Sequence, residues 1–236
     1  GDALTDADFN VAVGQAALGA DTKGSKSVAV GHSALLTQNF TTATDALNTA
    51  VGHAAGTLVE TGIQNTLIGA LAGDALTTGS YNTALGYGAL SADDLGSQSV
   101  AIGYHALVAQ NYATATTSHN VAVGSNAGAN ISIGTLNTAV GGLALDADTL
   151  GSRSTAIGYT ALSNQNFTTA TDSNNTAVGF QAGVAVQTGR FNTFVGSEAG
   201  DAVTTAVARV AIGYNALSTE DTGSKSVAVG ANALTT

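Results

Sequence analysis

The 236-residue chain contains no cysteine, proline, methionine or tryptophan. Without cysteine there can be no disulfide and no thiolate chemistry, and the redox compartment stays open. Without proline, nothing interrupts a ladder of backbone hydrogen bonds, because proline lacks the N–H that such a ladder uses. Charge is scarce too: 9% of residues are charged, against about 25% in ordinary soluble proteins. The 16 acidic and 6 basic residues leave a net charge of −10, which disfavours nucleic-acid phosphates and anionic lipid heads as partners. No apolar run approaches the ~18 residues of a membrane span, and the opening GDALTDADFN lacks the basic and apolar regions of a signal peptide. What is there is 30 glycines and 44% hydrophobic residues, with a mean hydropathy of +0.21. That is the profile of an ordered chain, not a disordered one.

Length alone suggests one or two ordinary domains, but a repeat overrides that count. A five-residue pattern recurs thirteen times: Asn or Ser, Val or Thr, Ala, an aliphatic residue, Gly. It closes at Gly14, Gly31, Gly52, Gly69, Gly86, Gly103, Gly124, Gly141, Gly158, Gly179, Gly196, Gly213 and Gly230. The spacing is 17 residues nine times and 21 three times. Three residues after each of these glycines stands Ala, followed always by Leu or Gly, as in Ala17-Leu18 and Ala55-Gly56. A further Gly recurs ten residues after the motif glycine in eight of the nine short units, as at Gly24, Gly62 and Gly96, with Ala206 the exception. This glycine is expected to supply a positive φ at a tight corner.

Period-two alternation with Val, Ile and Thr predicts a strand in each motif. The fold class that follows is all-β: a parallel β-solenoid of about 13 stacked coils of 17 or 21 residues, a single repeat domain over residues 1–236. Stacking at about 4.8 Å per coil predicts a rod of roughly 55 to 60 Å. Asn10, Asn48, Asn65, Asn82, Asn120, Asn137, Asn175 and Asn192 then form a hydrogen-bonding ladder along it, with Ser27, Ser99, Ser154, Ser226 and Arg209 on the other rungs. The three long coils carry their extra residues in QNFTTATD (38–45), QNYATATT (110–117) and QNFTTATD (165–172), expected to project as loops.

Within the motif, the Val or Thr rank and the aliphatic rank share one face of the strand, while Ala and Gly hold the other. Neither face drifts toward polar residues, as a solvated face would. One face is therefore expected to line the coil interior and the other to pack against a second chain. An Ala-rich interior buries little apolar area at roughly 25 cal/mol/Å². The alternative is a monomer with both faces internal. The chain starts and stops mid-coil, since GDALTDADFN aligns without a gap onto GDALTTGSYN at 73–82. It is thus expected to be either a piece of a longer array or a subunit whose half-coils are completed by neighbours, which would build a head-to-tail filament.

The units SVAIGYHAL, STAIGYTAL and KSVAVGHSAL make the chain resemble the head repeats of trimeric autotransporter adhesins. NTAVGFQAG and NTALGYGAL are similar to related repeats in phage tail-fibre and bacterial surface proteins. The resemblance spans essentially the whole chain. It implies a left-handed β-roll in a homotrimer, displayed outside the cell or on a virion and used to attach to matrix proteins, glycans or other surfaces.

No nucleophile and base stand together, so an enzyme is not expected and no catalytic residue or cofactor is assigned. His32 and His53 follow the motif glycine on successive coils and would stack at about 5 Å, short of the three or four ligands of a zinc site; His105 and His119 lie at other phases. Acidic pairs at Asp93 and Asp94, Asp146 and Asp148, and Glu220 and Asp221 offer oxygens to calcium, although Lys26, Arg153 and Lys225 are placed to pair with acids instead. Two features suit recognition. Tyr87, Tyr104, Tyr159, Phe180 and Tyr214 directly follow motif glycines as a discontinuous aromatic stripe, and Gln38, Phe40, Gln110, Tyr112, Gln165 and Phe167 sit in the insertions. Exposed rings beside amides stack on sugars; alternatively these rings cover the coil edge or pack between protomers. Ice binding is a third functional class, because solenoids can present threonine arrays. Here the threonine rank from Thr49 to Thr193 is interrupted by valines, an interchange expected of a buried phase.

Overall fold

A computed structural model describes residues 1–219 and 223–235. The chain is an all-β parallel solenoid with no helix among these residues. It forms two compact units, Gly1–His119 and Asn120–Thr236. In the first unit, Val11–Val13, Val28–Val30, Thr49–Val51, Thr66–Ile68, Thr83–Leu85 and Val100–Ile102 are parallel strands, each paired with the next. In the second unit, Val121–Val123, Thr138–Val140, Thr155–Ile157, Thr176–Val178, Thr193–Val195, Val210–Ile212 and Val227–Val229 do the same. Six turns and seven turns make about thirteen.

Register is strict because every motif meets its copy. Val28 pairs with Thr49, Ala29 with Ala50 and Val30 with Val51. Each long coil adds a two-residue strand on a second side: Thr44–Asp45 pairs with Gly24–Ser25, Thr116–Thr117 with Gly96–Ser97, and Thr171–Asp172 with Gly151–Ser152.

The interior belongs to the alanine face. Ala29, Ala50, Ala84, Ala101, Ala122, Ala156 and Ala177 are fully buried, as are the following Ala and Leu at Ala34 and Leu35 or Ala161 and Leu162. Two strands replace the central Ala by something larger, Leu67 and Phe194, both fully buried. Both sit beside glycines on their own and the preceding coil. A Cβ on Gly56 or Gly73 would lie 2.6 or 2.7 Å from Leu67, and one on Gly183 would lie 2.7 Å from Phe194. At Gly56, Gly73, Gly183 and Gly200, where the coil has Gly in place of Leu, the larger strand side chain fills the space.

The opposite ranks face outward. Thr49, Thr83 and Thr138 are half-buried and Thr66 is exposed, while Leu85 and Ile212 stand 42% and 40% exposed. Within the single chain the Thr and Val rank is therefore not part of the solenoid interior, and the reading with both faces internal is overturned. Thr and Val are isosteric, so either fits the outer side of the sheet.

The corner glycines act otherwise than expected. Gly24, Gly62, Gly96 and Gly151 do not have positive φ; instead a Cβ there would sit under 3.0 Å from an Asp carboxylate or the next coil's carbonyl. Close approach, not left-handed backbone, requires them. The left-handed positions belong to other residues, among them the Leu or Gly after the repeat alanine: Leu35 has φ 49° and Gly56 φ 58°. The motif glycines combine both demands: Gly52 has φ 142°, and its Cβ would meet Gly69 backbone.

The asparagine ladder is built through the backbone. Asn48 Oδ1 accepts from the Asn65 N–H at 2.9 Å and its Nδ2 donates to the Gly62 carbonyl at 2.8 Å. Asn65, Asn82, Asn120, Asn137 and Asn175 repeat one or both bonds. Each amide thus satisfies a buried donor and a buried acceptor that a serine side chain would be too short to span.

Candidate functional site

Seven residues after the motif glycine the chain turns inward, and this position divides the coils. In glycine-type coils it holds Val59, Leu76, Ile131, Val186 and Val203, all buried. In leucine-type coils it holds Asp21, Asp93 and Asp148, and in the long coils that follow, Gln38, Gln110 and Gln165; all six are fully buried. Stacking brings each Asp beside a Gln. Gln38 Nε2 donates to Asp21 Oδ2 at 2.5 Å, Gln110 to Asp93 at 2.6 Å and Gln165 to Asp148 at 2.5 Å. The other carboxylate oxygen accepts from the Gly24, Gly96 or Gly151 N–H at 2.9 to 3.0 Å. Asn48 and Asn175 donate to the Gln38 and Gln165 carbonyls, both at 2.8 Å, and Ser99 meets Ser118, as Ser154 meets Ser173, at 2.5 Å.

These networks overturn the placement of the insertion residues. The repeat pattern puts Gln38, Gln110 and Gln165 in projecting loops, yet they are interior. Phe40, Tyr112 and Phe167 are 6%, 4% and 5% exposed, and Phe40 packs over Gly24. Their rings cover the edge of the carboxylate cluster, which excludes water from a polar group that already has its partners. The exposed residues of these segments are the tips at 41–43, 113–115 and 168–170, the asparagines Asn39, Asn111 and Asn166, and the closing Asp45, Thr117 and Asp172.

The acidic pairs are likewise split by the fold. Asp93 and Asp148 point inward, where burial pushes their carboxyls above the usual range; the bonds from Gln110 and Gly96, and from Gln165 and Gly151, pull back, while the Asp94 charge adds to the rise at Asp93. Burial also raises Asp74, Asp146 and Asp201. Glu220 and Asp221 lie outside the described residues. Among the described residues, no three His, Asp or Glu side chains gather as a metal site. Two of the basic residues pair across coils: Lys26 with Asp45 at 2.5 Å and Arg153 with Asp172 at 3.3 Å.

The aromatic stripe is on the surface. Tyr87, Tyr104, Tyr159, Phe180 and Tyr214 are each about half exposed, from 46% to 55%. In the first unit Tyr87 and Tyr104 stack with ring centroids 5.8 Å apart, and His105 lies 4.0 Å from Tyr104. In the second unit Tyr159 and Phe180 stack at 5.9 Å. His32 and His53 are stacked at 5.3 Å, two rings of the same rank.

The surface therefore offers two kinds of feature: exposed ring stacks, and an apolar sheet face of Thr, Val, Ile and Leu ranks on each unit. The ranks are visible in the repeat; the buried Asp and Gln pairs are not, although aligning the units at the motif glycine places Asp21 and Gln38 at one phase. No helix among the described residues is long and apolar enough to cross a membrane. Compared with known proteins, the chain matches no family model, no curated protein and no solved structure.

Proposed function

We propose that the chain is a non-enzymatic extracellular attachment module, the head or shaft of a homotrimeric surface adhesin or tail fibre built from left-handed rolls. The observation that carries the reading is the outward sheet face. Its aliphatic rank includes Val51 and Leu85 in the first unit and Ile157, Val195 and Ile212 in the second, each more than a third exposed, beside a Thr and Val rank that also faces outward. Contiguous apolar surface of this kind marks an interface with another chain, and the similarity of the repeats to adhesin heads selects three copies of the same chain. Each solenoid unit then presents its exposed rings to a host protein or glycan.

Sedimentation equilibrium at micromolar concentration is expected to give about 69 kDa, three times the 23.0 kDa chain, and Leu85→Asp is expected to reduce it by placing a charge in the contact. A 23 kDa species for the unaltered chain would overturn the trimer. Long fibres in electron micrographs would favour the end-to-end filament instead.

A second reading has one specific observation in its favour. The threonine rank lies on the outward side of the parallel strands in each unit, with Thr66 exposed, so burial within the single chain does not argue against ice binding. Measured thermal hysteresis would support it, and its absence would remove it.

A further inference from the structure

The residue directly after each motif glycine forms an outward rank, and in the first unit it reads Gln15, His32, His53, Ala70, Tyr87, Tyr104. Backbone bonds hold the rank in register: Leu71 N–H to the His53 carbonyl at 3.0 Å, Gly88 to Ala70 at 3.1 Å and His105 to Tyr87 at 3.0 Å. His32 and His53 stack with planes 7° apart, and Tyr87 and Tyr104 with planes 13° apart. Two face-to-face ring pairs thus flank one rung that has only a methyl group. Because each pair is stacked along the rank, His53 and Tyr87 each turn one unstacked face toward Ala70.

From these observations we propose that the Ala70 rung is a slot that takes an aromatic side chain of a partner polypeptide between His53 and Tyr87. Two rungs separate those rings, roughly 10 to 11 Å at the strand spacing and slight lateral offset of the stacks. A ring inserted midway lies about 5 to 5.5 Å from each wall, inside the 4.5–7 Å range of aromatic pairs and close to the 5.3 and 5.8 Å steps already present. The partner's ring completes a ladder that the chain leaves one rung short.

The surroundings select an aromatic ring over a sugar. Ala70 is flanked by half-buried Ile68 and Leu71, so the slot's polar groups are the edges of its own walls. A pyranose carries hydroxyls around its whole rim, and those turned toward Ile68 and Leu71 would lose water without gaining a partner. An aromatic side chain has no such groups on its faces. The second unit repeats the order of ring pair, small residue and ring in Tyr159 and Phe180, Ser197, Tyr214, with Glu198 N–H bonded to the Phe180 carbonyl and Asn215 to Ser197.

The proposal rests on the attachment reading for its partner, but its test does not. N-acetyl-L-tyrosinamide and methyl β-D-glucopyranoside are titrated separately into the full chain, following the Ala70 methyl and His53 ring resonances by NMR. The tyrosine probe is expected to move both by ring current. Ala70→Tyr, which copies the residue one coil on and should fold, is expected to weaken binding at least ~tenfold by filling the slot. An unchanged titration in Ala70→Tyr, or a response to the glucoside as strong as to the tyrosine probe, would overturn the proposal. Probe binding by an unaltered chain that adheres to no protein-coated or glycan-coated surface counts against the attachment reading alone.

Discussion

Leucine-type and glycine-type coils share one backbone path but have opposite interiors. Around Phe194 the inward position is apolar, with Val186 and Val203 buried there and Gly183 and Gly200 making room for the ring. Around Asp148 the same position holds a carboxylate, bonded to Gln165 and the Gly151 N–H, and the strand side chain shrinks to Ala156. A stacked coil does not demand an apolar interior. It demands that each interior atom find its complement on its own coil or the next, by volume in one layer and by hydrogen bonding in the other.

The difference is tested most severely at Phe194. Phe194→Ala is expected to cost about 3–5 kcal/mol in urea denaturation, because the flanking glycines have no side chains to close the cavity. A cost below ~1 kcal/mol would mean that the coils collapse onto one another.

The polar layer should respond less and in a pH-dependent way. Gln165→Ala leaves Asp148 without its amide donor and is expected to cost about 1–3 kcal/mol. Since burial raises the Asp93 and Asp148 carboxyls above 3.8, the folded chain holds their protons more tightly than the unfolded chain. The stability they contribute is fully present below the ordinary carboxylate value and is lost as pH rises through the raised one. Thermal midpoints are therefore expected to be higher near pH 4 than at pH 7, with the gap narrowed in the Asp93→Asn, Asp148→Asn double variant. Equal gaps in both proteins would place the pH dependence elsewhere.

Smallest of all is the surface tie of the third insertion. Arg153→Ala removes a half-exposed ion pair with Asp172, and a change of about 0.2–1 kcal/mol is expected. A larger loss in the same denaturation assay would show that this pair holds the loop over the buried cluster.

Much of the architecture is legible in the chain of residues. The thirteen glycines and their alternating neighbours specify a parallel solenoid, its strands and their register, because a period-two pattern at constant spacing leaves one way to align the copies. The alanine rank also marks one face as suited to close packing. Less legible is the role of the polar residues. Gln38, Gln110 and Gln165 read as loop residues because they open the segments that hold the extra residues of the long coils, and Asp93 and Asp148 read as members of acidic pairs with oxygens to offer calcium. Their burial depends on a partner 17 residues away, so it is a property of the pair and not of either residue.

The repeat, the strands and the small-residue rank rest on local geometry and steric fit within one coil, so the order of residues is enough to settle them. Contact between coils settles the rest: which face turns outward, why the corner glycines are glycine, and where the carboxylates go. Those outcomes depend on what the neighbouring coil places within about 5 Å, and a Cβ, a carbonyl or an amide at that distance outweighs the preference that each residue has alone.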